Sequence, residues 1–269
     1  MAFLTEEEPP RGVLLPVLPG IGRLVAPNFG PMTYHGTNTY LIEEGDGLTL
    51  LDPGPDEAGH VAAILRAGGG RVRRILLTHT HIDHFGATAA VQAATGATVC
   101  AFADVGFQRT VRLRDGDRIG GLIAVHTPGH APDHLCFGFE NGILFSGDHV
   151  MAWSSTIVSP PLGDMAAYME GLSRLLERSD RFYFPGHGPL LPEPQGHVRE
   201  LIAHREEREA AIEQRLSRVG QSSAHLADVL YAKESPRLRR AAERNVLAHL
   251  IELEGEGRAR RADDMWTAS

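Results

Sequence analysis

Several features are scarce in this chain, and each scarcity closes off a class of protein. No apolar run approaches the ~20 residues a membrane-spanning helix requires, so no membrane partner is expected. The first eleven residues carry Glu6, Glu7 and Glu8 and no basic stretch before an apolar core, so they do not read as a secretory signal. Only two cysteines occur, Cys100 and Cys136, each inside an apolar strand-like run. They read as buried thiols rather than a disulfide, and the expected compartment is the reducing cytoplasm. There is no internal repeat. Positive charge is also short. The 26 Lys+Arg against 34 Asp+Glu leave a net charge of −8, which argues against a broad nucleic-acid surface. The deficit lies in residues 1–198, with 13 basic against 21 acidic side chains, while residues 199–269 balance at 13 and 13.

What is present points to a globular enzyme. The 269 residues are 42% hydrophobic, enough for one large domain or a domain with a small appendage. Alternating or apolar runs predict strands at Thr39–Ile42 and Leu48–Leu51, joined by the turn Glu43-Glu44-Gly45-Asp46-Gly47. Further strands are expected at Val72–Leu77, Ala97–Phe102, Ile119–Val125, Leu135–Phe139, Ile143–Phe145 and Phe182–Phe184. Helices are expected at Asp56–Ala67, Gly86–Ala94 and Met165–Glu177. This alternation implies mixed sheets covered by helices. From Gly196 the texture turns helical, with helices over His197–Val219, Ser222–Leu230 and from Ser235-Pro236 to about Leu253, then a turn and the basic strand Arg258–Arg261. The expected division is therefore 1–195 for a catalytic domain and 196–269 for a winged-helix-like domain. Arg237, Arg239, Arg240 and Arg244 on the third helix alternate with Glu234 and Glu243, and the segment reads as a cap or dimer support ahead of a nucleic-acid surface.

The chemistry is concentrated in Thr78-His79-Thr80-His81-Ile82-Asp83-His84, directly after the apolar Ile75-Leu76-Leu77. Imidazole and carboxylate are the ligands zinc and similar metals take. Four of them so close cannot all face one ion; alternation along an extended chain would send His79, His81 and Asp83 to one side and leave His84 to open the next element, a layout that suits two ions side by side better than one. Further candidates end apolar runs: His130 in Thr127-Pro128-Gly129-His130, Asp148 in Ser146-Gly147-Asp148 and His187 in Pro185-Gly186-His187. Loops at strand ends are where sites are usually built, and the glycines permit tight approaches.

His79-x-His81-x-Asp83-His84 followed by His130, Asp148 and His187 resembles the metallo-β-lactamase superfamily signature over about residues 20–190. The resemblance implies an αβ/βα four-layer sandwich, mixing α/β and α+β character, with a metal site at one edge. It implies His79, His81 and His130 on a first metal, Asp83, His84 and His187 on a second, and Asp148 between them. Two zinc ions per chain, with manganese or iron as alternatives, would carry a hydroxide between them, and Asp52 would orient ligands from behind. Gly36-Thr37-Asn38-Thr39-Tyr40-Leu41, Thr127–His134 and Pro185–Pro189 resemble the lactamase-β-like protein 2 group, which has a winged-helix-like tail. That group includes an endoribonuclease acting on single-stranded RNA, so RNA stands as an alternative to an ester, thioester or lactone substrate. A mononuclear-iron sulfur dioxygenase is a third reading. Asp148 separates the chain from true class B β-lactamases. Asp83, Asp148, His134 and His149 are the expected catalytic residues, the two histidines as donors to a developing oxyanion or leaving group. The resemblance also makes Asn28–Thr37, with Phe29, Tyr34 and His35, a candidate flap over the site, and Trp153 is a candidate for the cleft wall. His126 reads as a packed histidine and His35, His60, His197, His204, His225 and His249 as filler. A homodimer is a candidate assembly.

Overall fold

Alternation along the strands builds two facing sheets, and three packed interfaces follow from it. The structure, a computed structural model, describes residues 2–45, 47–108, 110–233 and 235–269, without the Arg237 side chain. Asp46 of the first expected turn, Glu234 and the Arg237 side chain therefore lie outside the described residues.

The first sheet is formed by β1 (Leu15–Leu18), β2 (Ile21–Val25), β3 (Asn38–Glu44), β4 (Gly47–Leu51), β5 (Val72–Leu76), β6 (Thr98–Ala101) and β7 (Thr110–Arg112), in that spatial order. Helix α1 (Ala58–Gly68) links β4 to β5, and α2 (Ile82–Phe85) and α3 (Thr88–Thr95) link β5 to β6. Pairing is antiparallel through β4 and parallel from β4 to β7. The register sets Leu41, Leu50, Ile75 and Val99 side by side on one face, where they pack with Ile64 and Val91 of the helices. The alternate residues Tyr40, Leu51, Leu76 and Cys100 line up on the other face, against the second sheet.

That second sheet has the order β13 (Leu191–Pro192), β12 (Phe182–Pro185), β11 (Ile143–Gly147), β10 (Leu135–Phe139), β9 (Leu122–His126), β8 (Arg118–Ile119). Ala124, Phe137, Phe145 and Phe184 face the first sheet, and the Tyr40 ring meets Phe145 edge-on at 5.1 Å. Val125, Cys136, Leu144 and Tyr183 point the other way, onto α4 (Met165–Leu176) and α5 (Pro194–Glu213). The layers run helix, sheet, sheet, helix, as the four-layer expectation has it.

The tail adds α6 (Ser223–Leu230), α7 (Pro236–Gly255) and the hairpin β14 (Ala259–Ala262) with β15 (Met265–Ala268). Ser222 and Ser235 cap their helices by accepting from His225 N and Leu238 N. Trp266 anchors a small core with Ile212, Leu226, Val246 and Leu250. Helix α7 is shared between units, because its Ala248 joins the core under α4. No described helix is long and apolar enough to cross a membrane.

Three expectations need correction. Ile119–Val125 is not one strand: Gly120 and Gly121 turn through φ of 56° and 77° and divide it into a tight hairpin. The helix expected at His197–Val219 begins earlier, at Pro194, and ends at Glu213. Strands β1 and β2 were not expected, because prolines and glycines interrupt their apolar pattern.

Candidate metal centre

The seven expected ligands come from five segments, each placed by a strand or helix end at one edge of the sandwich. His79 follows β5, Asp83 and His84 sit on α2, His130 follows β9, Asp148 follows β11 and His187 follows β12. Glycine is needed at Gly186, where a Cβ would lie 2.5 Å from Asp148 Oδ1 and 2.6 Å from His84 Cε1. Asn38 secures the same loop: its Nδ2 donates to Pro185 O and Gly188 O, each at 2.9 Å. Tyr40 Oη donates to Pro185 O at 2.8 Å. These bonds give a purpose to the Gly36–Leu41 segment.

Two triads result. His79 Nε2 lies 2.9 Å from His81 Nδ1, which lies 3.0 Å from His130 Nε2. His84 Nε2 lies 3.2 Å from His187 Nε2, and Asp83 Oδ2 lies 3.3 Å from the latter. Asp148 stands between them, with Oδ2 3.6 Å from His130 Nε2 and 3.5 Å from His187 Nε2 and Oδ1 3.4 Å from His84 Nε2. Asp148 Oδ1 is buried without a hydrogen bond of sound geometry among the described residues. Imidazole nitrogens converging on a carboxylate in this way suit cations held between them. The residues present therefore fit a metal centre.

The ring nitrogens of His79, His84, His130 and His187 that face away are engaged, and their partners fix which nitrogen carries the proton there. Asp52 Oδ2 accepts from His84 Nδ1 at 2.8 Å and from Thr78 Oγ1 at 2.7 Å, while its Oδ1 accepts from Thr78 N at 2.8 Å. Thr78 Oγ1 spends its proton on Asp52, so it accepts from His79 Nδ1 at 2.9 Å. His130 Nδ1 donates to Ile157 O at 2.7 Å and His187 Nδ1 to Gly36 O at 3.3 Å. In each of these histidines the outward Nδ1 is tied to the protein, so Nε2 is the nitrogen aimed inward and the one available to a metal once it carries no proton.

Charge follows the same geometry. Burial holds the His79 pKa well below its ordinary value. Burial also opposes charge on His187, but Asp148 and Asp83 outweigh it and bring its pKa up to about 9. At His84, Asp148, Asp83 and Asp52 likewise overcome burial and raise the pKa well above the usual range. Burial would raise Asp83, yet His84 and His187 bring it down to about 2. A cation held by this cluster would take the place of the protons on His84 and His187.

His134 and His149 are placed differently from the expectation that they reach a substrate. Both are fully buried behind the cluster, and neither lines the cavity. His134 Nε2 accepts from Asp148 N at 3.1 Å, and its Nδ1 donates to Thr127 Oγ1 at 2.9 Å, so both nitrogens are spent inside the protein. His149 packs on Tyr168 and against Gly171, and burial lowers its pKa to about 3. His126 stacks on Phe102 at 4.1 Å, away from the ligands.

Over the exposed side of the cluster lies a cavity of about 470 Å³. His81, Asp83, His130, Asp148 and His187 form its floor. Pro31, Met32, Met151, Trp153, Ile157 and Leu162 make largely apolar walls. From the expected flap, Pro31 and Met32 reach the cavity, while Tyr34 stacks behind on Trp153 at 5.0 Å.

Sequence reasoning missed how the C-terminal helices enter this wall. Ala241 and Arg244 of α7 line the cavity. Arg244 donates to Ser159 Oγ and Pro160 O, each at 2.8 Å. Asn245 Oδ1 accepts from Val158 N at 2.8 Å, and Arg205 of α5 donates to Thr156 O. Thr156 Oγ1 in turn donates to Asp148 O at 2.6 Å. The loop so held carries the Ile157 carbonyl that orients His130. No local sequence signal marks Asn245 or Ile157, since both act only across a long-range contact.

A four-layer sandwich with convergent imidazoles and carboxylates at its edge, closed by a helical appendage, defines a class of metal-dependent hydrolases. Comparison with known proteins agrees. A family model described as "Metallo-beta-lactamase superfamily" matches residues 32–110 and 101–187, and one described as "Beta-lactamase associated winged helix domain" matches residues 222–266. The chain belongs to the metallo-beta-lactamase superfamily and is a hydrolase of that kind. It is 31% identical to a beta-lactamase-like protein 2 homolog of Drosophila melanogaster, over 88% of this chain and 89% of that one. It is 30% identical to an atrochrysone carboxyl ACP thioesterase of Passalora fulva, over 72% of this chain and 61% of that one. Its fold matches the crystal structure of a beta-lactamase domain protein from Burkholderia ambifaria with a TM-score of 0.84, at 23% identity, over 97% of this chain and 95% of that one.

Proposed function

We propose that the chain is a dinuclear-metal hydrolase acting on a small ester, thioester or lactone. The observation that carries this reading is the sharing of Asp148 between two donor triads. His79, His81 and His130 would hold one ion, and Asp83, His84 and His187 the other. Zinc, manganese or iron suits the donor set. Such ions supply Lewis acidity toward a carbonyl or phosphoryl oxygen and make water a ready nucleophile at neutral pH. The chain's own contribution is orientation. Asp52, Thr78, Ile157 and Gly36 fix the imidazoles, and His134 fixes the backbone that carries Asp148. His134 thus acts as a positioning residue rather than a proton donor to substrate. Asp83, half-buried at the cavity floor with a pKa brought down to about 2, stands as a carboxylate, the form that can ligate a cation and accept a hydrogen bond from a water in the cavity.

The apolar walls support an acyl or lactone substrate over a polynucleotide. Arg244 is the single arginine or lysine lining the cavity among the described residues, whereas a phosphate backbone calls for several cations. The name of the Passalora fulva relative supports the same substrate class.

The test uses protein purified without chelator and assayed on thioesters, esters, lactones, phosphodiesters and short RNAs. The expected result is about two metal ions per chain at this cluster and ester or thioester cleavage that Asp148→Asn abolishes while circular dichroism stays unchanged. RNA cleavage without ester cleavage would replace the substrate reading. One iron per chain with oxygen uptake on a persulfide, or full activity in Asp148→Asn, would end the hydrolytic one.

A further inference from the structure

A second group of metal-type donors lies in the C-terminal unit, in the small helical layer that covers the sandwich. His249 and Glu252 are one helical turn apart on α7, and Glu209 faces them from α5. His249 Nδ1 is 3.6 Å from Glu209 Oε2 and 3.7 Å from Glu252 Oε2. Both separations are too long for a hydrogen bond. They match the edge of a tetrahedron drawn around an ion with ligand bonds of ~2.1 Å, which is about 3.4 Å. The same spacing, 3.3 to 3.6 Å, separates the histidines and aspartates of the catalytic cluster.

Burial makes this arrangement hard to explain as an ordinary ion pair. His249 is only 1% exposed, and neither of its ring nitrogens has a hydrogen-bond partner among the described residues. Glu252 Oε2 is likewise buried and unpartnered. A buried polar atom left unpaired costs ~1–3 kcal/mol, and a hydrogen bond at 2.8 Å would need only a small side-chain rotation. Both carboxylates instead stand beyond hydrogen-bond distance of Nδ1. The nearby guanidinium does not fill the gap: Arg258 is bound to Glu209 Oε1 at 2.6 Å, to Glu256 at 2.7 Å and to Glu213. It occupies the far oxygen of Glu209 and leaves Oε2 facing the histidine, as an outer partner of a ligating carboxylate does.

We propose that Glu209, His249 and Glu252 form a second, non-catalytic site for one divalent cation of the zinc class, clamping α5 to α7. A histidine and a glutamate one turn apart, with a further glutamate from a facing helix, is a metal-binding arrangement that helical bundles use. Glu252 borders a surface cleft of about 680 Å³ between α7 and residues 160–167. The clamped helix is the one that carries Arg244 and Asn245 to the wall of the catalytic cavity.

The experiment measures zinc in the full chain after loading and desalting. A chain with His79→Ala and His84→Ala has lost catalytic ligands and is expected to keep about one zinc with a dissociation constant below micromolar. Adding His249→Leu or Glu252→Gln should remove that zinc and abolish the rise in melting temperature that zinc produces. In the otherwise unchanged chain, Glu252→Gln should lower zinc content by one equivalent and leave ester turnover within twofold. The proposal is overturned if zinc content and the zinc-dependent melting shift are the same with and without His249→Leu and Glu252→Gln. Failure of the catalytic assignment would look different, with His79→Ala and His84→Ala changing no metal content at all.

Discussion

The arrangement around Asp52 makes a sharp prediction for Asp52→Asn. The carboxylate accepts three hydrogen bonds: Thr78 N on Oδ1, and Thr78 Oγ1 and His84 Nδ1 on Oδ2. The amide is the same size but must turn its NH2 toward one side or the other. Turned toward Thr78 N, it sets two donors face to face in a site where Asp52 is 2% exposed. Turned toward His84, it drives the imidazole to give up its Nδ1 proton and carry one on Nε2, pointing into the ligand cluster. One unsatisfied buried donor costs about 1–3 kcal/mol. Loss of an outer carboxylate partner weakens a metal site by about 10–100-fold. Chelator competition should therefore show that loss at the metal held by His84, with a smaller loss at the one held by His79, which Asp52 reaches only through Thr78. In a His84→Ala background the same substitution should cost far less, since the coupled partner is gone. Metal affinity within twofold of the unmodified chain at both positions would refute this account of Asp52.

Two further predictions follow from the packing. Asn245→Ala leaves Val158 N without its acceptor beneath the loop that orients His130, and should weaken metal binding about tenfold at nearly unchanged circular dichroism; a change confined to melting temperature would mean the loop holds its place without α7. His60 has its pKa lowered by burial to about 4, so between roughly pH 6.5 and pH 4 the unfolded chain takes up a proton that the folded chain refuses. Stability should fall with falling pH across that window, by about 3 kcal/mol in all, and denaturant melts of His60→Gln should lack this component of the slope.

The donors of the centre were legible because ligand chemistry is a local property. Histidines and aspartates ending apolar strands announce themselves whatever the rest of the chain does, and the first sheet was legible for the same reason, through the alternation of Tyr40, Leu41 and Ile42 or Leu50 and Leu51. Strands β1 and β2 were not, since Pro16, Pro19, Gly20 and Gly22 interrupt the apolar pattern and only pairing, β1 on β2 and β2 on β3, makes them extended. Sequence adjacency misled at His134 and His149, which stand near ligands along the chain and behind them in space. It also hid His249, read as filler, whose partner Glu209 lies forty positions away.

The sequence by itself determined which atoms can bind a cation and in what order they arrive, because these depend on side-chain type and on short-range backbone direction. Only the tertiary structure decided which imidazole nitrogen faces inward, and that α7 closes the cavity with Arg244 and holds its loop through Asn245. Those facts depend on register between strands and on packing between segments far apart in the chain, and a distance across space is not encoded in any single stretch of residues.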